Sequence, residues 1–66
     1  MRVRVNGEDR EVAAGTTVAG LLVELGLDKA VCAAEVNKQL VPARRRDTHA
    51  LSEGDQIEIV TLVGGG

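Results

Sequence analysis

The 66-residue chain contains no Phe, Tyr or Trp. Its core must therefore be aliphatic, built from Val, Leu, Ile and Ala, and no ring is present to stack on a nucleic-acid base. There is one cysteine, Cys32, and one histidine, His49. A single cysteine forms no internal disulfide, and one residue of each type does not make a zinc site. No charge of one sign dominates: the formal net charge is −2, with both signs interspersed. A global basic field for nucleic acid is absent. No apolar run approaches membrane-spanning length, and no N-terminal stretch has the apolar core of a signal peptide. These absences lead us to expect a cytoplasmic protein with no metal, no cofactor of its own, no nucleic-acid partner and no membrane association. At this length we expect one domain near the lower limit for unaided folding, its core supplying roughly 3–5 kcal/mol.

The residues that are present are strongly patterned. Met1-Arg2-Val3-Arg4-Val5 alternates with period two, placing Val3 and Val5 on one face. Asn6-Gly7 is a turn signal, because both residues tolerate positive φ. Arg10-Glu11-Val12 reads as the returning strand of a hairpin. After the break at Ala14-Gly15, Thr16 or Thr17 can cap a helix, and Thr17 is preferred. Val18, Leu21, Leu22 and Leu25 then share one helical face. Gly20 costs about 1 kcal/mol there relative to Ala, which suggests a close approach of helix to sheet. Gly26 suits a left-handed stop, with Leu27 folding back over the last turn.

Val31 to Val36 is short, mostly apolar and bounded by turn-formers, as a buried strand would be; its alanines leave a helix open. Asn37-Lys38-Gln39 turns the chain into Leu40-Val41, which Pro42 stops. Ala43 to Ala50, with Arg44-Arg45-Arg46 at its centre, reads as a surface connection pinned by Leu51. Its arginines are either a solvated loop or a patch that steers the chain onto an acidic partner. His49 is expected in solvent and Cys32 in a core. Glu53-Gly54-Asp55 is a tight turn before a last strand over Gln56 to Val63. Ile57, Ile59 and Thr61 are expected inward. The opposite face turns apolar towards its end, at Val60 and Leu62.

Val63-Gly64-Gly65-Gly66 closes the sequence. Three residues without side chains reach about 10 Å when extended and can thread a narrow cleft. We therefore expect a domain at 1–63 that presents a flexible glycine tail at 64–66. Val60, Leu62 and Val63 would form a small docking patch beside it, unless the fold itself covers them. The element order, two strands, a helix and further strands, predicts a two-layer α+β domain.

Several stretches, taken in order, resemble the ThiS-type sulfur carriers of thiamin biosynthesis, within the ubiquitin-like β-grasp fold. They are Val5-Asn6-Gly7-Glu8, Gly15-Thr16-Thr17-Val18 with Leu21-Leu22, Glu35-Val36-Asn37, and Leu40-Val41-Pro42. The run Glu53-Gly54-Asp55-Gln56-Ile57-Glu58-Ile59-Val60 and the ending Val63-Gly64-Gly65-Gly66 complete the set. The resemblance spans essentially the whole chain. One segment departs from it: family members often carry an aromatic residue after the proline, where this chain has Arg44-Arg45-Arg46-Asp47-Thr48.

The resemblance implies a mixed sheet of four to five strands with one helix packed across one face. It also implies a chemistry. An E1-like enzyme uses ATP to adenylate the Gly66 carboxylate, while Gly64 and Gly65 thread into its active site. A sulfur donor such as a cysteine desulfurase then supports conversion to a thiocarboxylate, and thiazole synthase accepts the sulfur. The chain is thus expected to be a protein co-substrate and not an enzyme. Alternatives are a carrier like the small subunit of molybdopterin synthase, a ubiquitin-like modifier that joins Gly66 to lysine, and a plain interaction module.

Overall fold

The computed structural model describes residues 1–62. Val63, Gly64, Gly65 and Gly66 lie outside the described residues, and with them the expected boundary between domain and tail. Strands β1 (Arg2–Val5) and β2 (Glu8–Glu11) form the N-terminal hairpin. Its turn residues Asn6 and Gly7 have φ of 51° and 84°, both positive, as the twist of a two-residue hairpin requires. Arg2 faces Glu11 and Val5 faces Glu8, so Val3 and Val5 point to the core while Arg2 and Arg4 point to solvent.

Helix α1 (Val18–Glu24) is capped by Thr17, whose hydroxyl accepts from Gly20 N. It buries Val18, Leu21 and Leu22. At its far end Gly26 N donates to Val23 O and Leu27 N to Leu22 O. These are the paired bonds of a left-handed helix stop, with Gly26 at φ 73° and Leu27 packed back against the core. The expected reason for Gly20 is not met. A Cβ there would touch only Thr17 Oγ1 at 3.5 Å and Thr16 Cγ2 at 3.6 Å, so the position faces its own cap and not the sheet.

Strand β3 (Cys32–Val36) turns at Asn37 and Lys38, φ 52° and 70°, into the short β4 (Gln39–Leu40). A single 3-10 turn, Ala43–Arg45, leads towards β5 (Gln56–Thr61). The sheet order is β2-β1-β5-β3-β4. The last strand is central, parallel to β1 and antiparallel to β3. One helix on one face of a mixed five-stranded sheet is the expected β-grasp architecture. Leu21, Ile57, Val3 and Val18 are its most completely buried large side chains, and no polar side chain among the described residues is buried with them.

Four expectations need correction. Val31 belongs to no strand and is 69% exposed, because inward Cys32, Ala34 and Val36 put odd residues on the outer face. Thr61 is exposed at the end of β5, lining an open groove with Leu25 and Leu27 of the helix stop. His49 is half-buried, its carbonyl accepting from Val18 N. The arginine run is also split. Arg44 and Arg45 are exposed, whereas half-buried Arg46 turns inward and donates through Nη2 to Cys32 O at 2.6 Å. The connection is docked on the helix, since Arg46 O and His49 O accept from Ala19 N and Val18 N. With the Thr17 hydroxyl they satisfy the first turn's free donors.

Candidate functional site

The site is built around β5, because every residue expected to dock, thread a cleft or be adenylated lies on it or beyond it in sequence. Along β5 the backbone groups alternate sides. Leu62 N donates to Val31 O, and Gln56 O accepts from Asn37 N, so even residues bond towards β3. Odd residues bond towards β1: Ile57 O accepts from Asn6 N at 2.9 Å. Strand β1 ends one residue earlier, at Val5. The Asn6 side chain then continues the ladder. Its Oδ1 accepts from Ile59 N at 2.8 Å and its Nδ2 donates to Ile59 O at 3.2 Å. An amide matches a peptide group in donor and acceptor, so it substitutes for one.

Asn37 performs a related service at the start of β5. Its Oδ1 accepts from Gln56 N, and its Nδ2 donates to Asp55 Oδ1. Asp55 Oδ2 in turn accepts from Ser52 N, closing the turn before the strand. Both asparagines hold a positive φ, so each combines a hairpin turn with a clamp on the strand that leads to Gly66.

The outer face of the sheet carries the apolar patch. Val60 is 59% exposed and Leu62 58% exposed. Val60 pairs across the strands with Ala33, and Leu62 lies beside Val31. The patch therefore includes Val31, which the sequence reading had placed in a buried strand. Alternation back from Val36 carried the signal for its outward position. Next to the patch, Glu35 and Glu58 face each other directly. Like charges so placed destabilise a sheet by a few tenths of a kcal/mol, roughly. Neither carboxylate has a cation within ion-pair distance among the described residues, whereas Arg2 and Arg4 on the same face are paired with Glu11 and Asp9.

Of the sequence-derived site residues, Val60 and Leu62 are exposed and adjacent to the end of β5. Val63, Gly64, Gly65 and Gly66 lie outside the described residues. Cys32 is buried under the Arg46 guanidinium, with Nη1 3.8 Å from Sγ. Among the described residues no group of three or more His, Cys, Asp or Glu side chains could hold a metal ion. No helix among them is long and apolar enough to cross a membrane.

A helix crossing a five-stranded mixed sheet, its central strand aimed at a glycine ending, defines a ubiquitin-like β-grasp domain. The chain belongs to the ThiS family, whose pattern it matches over residues 3–66. It is 35% identical over 66 residues to the sulfur carrier protein ThiS of Escherichia coli, each chain covered completely. It is 42% identical to a stretch of a thiazole synthase of Paramagnetospirillum magneticum and spans only 20% of that longer protein. The crystal structure of the thiamine biosynthesis protein ThiS from Geobacter metallireducens superposes with a TM-score of 0.84, at 29% identity and full coverage of both chains.

Proposed function

We propose that this member of the ThiS family is a sulfur carrier of thiamin biosynthesis that bears its sulfur as a thiocarboxylate on Gly66. The observation that carries the reading is the extent of the family match, which runs through the glycine ending to residue 66. A carboxylate is a poor acyl donor, because its charge repels nucleophiles and oxide is a bad leaving group. In this reading an E1-like enzyme spends ATP to form the acyl-adenylate at Gly66. A persulfide on a sulfur donor, such as a cysteine desulfurase, attacks the acyl-adenylate and expels AMP. A second thiol then cleaves the resulting acyl disulfide, becoming oxidised to a disulfide as it releases the thiocarboxylate. Thiazole synthase is the acceptor, a role suggested by the relative of that name in which a stretch like this chain makes up a fifth of the length.

The chain itself is the co-substrate and works in the cytoplasm. Its tail residues Gly64 and Gly65 thread the partner's cleft, while Val60, Leu62 and Val63 dock. Tethering the sulfur turns delivery into a proximity-assisted step once the carrier has docked. Deleting Gly66, or appending one residue after it, is expected to abolish ATP–pyrophosphate exchange by the adenylating enzyme and leave the far-ultraviolet circular dichroism unchanged. Undiminished exchange with an uncleaved C-terminal extension would remove the tail from the mechanism.

A further inference from the structure

The outer face of the sheet handles its charges in two ways. Towards β2, Arg2 is paired with Glu11 and Arg4 with Asp9. Towards β4, Leu40, Glu35 and Glu58 stand in one row across β4, β3 and β5. Ala33 with Val60 forms the next outward row, and Val31 beside Leu62 the one after. Leu40, Val31, Val60 and Leu62 are all more than half exposed. Apolar side chains therefore border the two carboxylates on two sides. Glu35 is half-buried among them, and like charges directly opposite repel. On a third side Glu58 lines an open hollow of about 530 Å³ with Arg4, Lys38, Asn37 and Gln56. Two cations are thus near it. Arg4 is engaged, its Nε donating to Gly7 O at 3.3 Å and standing 3.7 Å from Asp9 Oδ1. Lys38 is exposed in the β3–β4 turn and makes no ion pair among the described residues.

We propose that this face receives a surface of thiazole synthase, the acceptor in the carrier reading on which this rests, that places one arginine among apolar side chains. Its guanidinium sits across Glu35 and Glu58. The relative of that name holds a stretch like this chain within the same polypeptide, which favours this partner over the adenylating enzyme. Covering the carboxylate pair with an apolar surface alone strips water from two charges and returns nothing. A guanidinium offers five N–H donors in a planar fork, enough to serve both carboxylates, and its charge relieves their repulsion. The pair therefore acts as a filter. The apolar patch by itself accepts any apolar surface, whereas Glu35 and Glu58 reject one that brings no cation to this spot.

The test measures the affinity of the full chain for thiazole synthase from the same cells by titration calorimetry. Glu35→Gln and Glu58→Gln keep side-chain size and remove one charge each. Each should lower affinity about tenfold, the loss of a hydrogen bond to a charged group. Neither should lower the melting temperature, because the repulsion between the two is gone. Glu8→Gln removes the same charge from an exposed position opposite Val5, on the helix side of the sheet, and should leave affinity unchanged. Unchanged affinity of the Glu35 and Glu58 variants overturns the guanidinium seat and leaves the carrier reading intact. An equal loss with Glu8→Gln also overturns it, in favour of long-range attraction by net charge. A lower melting temperature for Glu58→Gln that Lys38→Gln reproduces overturns it as well, since the cation would then be the chain's own. Failure of the unmodified chain to bind thiazole synthase removes the seat together with the acceptor in the carrier reading.

Discussion

Asn6 serves two purposes that separate substitutions can divide. Its backbone provides a positive φ, which glycine provides equally well. Its side chain provides two hydrogen bonds to Ile59, which glycine does not. Asn6→Gly should therefore lower stability by about 1–2 kcal/mol in urea denaturation, the cost of two lost bonds to a partly buried peptide. An unchanged midpoint would mean that water replaces the amide without loss. The turn was legible in Asn6-Gly7. The clamp was not, because its partner lies 53 residues away and no local pattern encodes it. Glu11 gives a second prediction at this scale. Hydrogen bonding and the charge of the N-terminal ammonium, followed by Arg2, hold its carboxyl below the ordinary glutamate value. Its stabilisation is therefore complete above the unfolded pKa and is lost as pH falls through the lowered folded value. The group is exposed and its ion pairs are open to solvent, so the effect is small. In urea denaturation across pH, Glu11→Gln should be slightly less stable than the parent at neutral pH and converge with it at acid pH, which flattens the acid side of the profile.

At the scale of elements, Gly20 inside α1 and Gly26 just past its end should respond with opposite signs. Gly20 has helical backbone and room for a Cβ, so Gly20→Ala should raise stability by about 1 kcal/mol. Gly26 holds φ 73° at the helix stop, so Gly26→Ala should lower it by about 1 kcal/mol. Denaturant midpoints of the two variants check the pair, and a shift in the same direction would contradict the assigned roles. Period-two alternation marked β1 and the buried face of β5, and helical spacing marked α1, since burial repeats with the element's own geometry; turn residues and Pro42 bounded the other strands, and the alanines of β3 left a helix open. The spacing failed at ends. Thr61 continues the inward row of β5, yet it faces an open groove and is exposed. Arg46 and His49 sit in a polar stretch that reads as solvated, yet α1 needs their carbonyls to satisfy its first turn. Such partners are fixed by where the loop lands, which hydrophobic pattern does not specify.

For the whole molecule, the small aliphatic core leaves little reserve. Leu21 is completely buried, and Leu21→Ala should cost about 2–5 kcal/mol. That is comparable with the total of roughly 3–5 kcal/mol expected for a domain of this size. The variant should be largely unfolded at room temperature by circular dichroism, and a cooperative, nearly normal melt would show a larger reserve than a core of this size provides. The outer face behaves otherwise. Val60→Asp or Leu62→Asp should leave the melt nearly unchanged, because both side chains are mostly exposed, and should weaken binding to the adenylating enzyme. Equal loss of stability and binding would place these side chains in the core. The β-grasp class, through the resemblance, and the exposure of Val60 and Leu62 were readable in the sequence, whereas the place of Val31 beside them was not. The way Asn6 grips β5 from the β1 side and Asn37 from the β3 side emerges only from register.

The central claim is that Gly66 carries sulfur, and the intact mass of the untagged protein from its own cells tests it most directly. Cys32→Ser removes the competing site for sulfur adducts. The account predicts that a fraction of the protein bears sulfur in place of one oxygen, localised to a fragment containing Gly64 to Gly66. A terminus that is always a free acid, even with the adenylating enzyme, ATP and a sulfur source supplied, would contradict it.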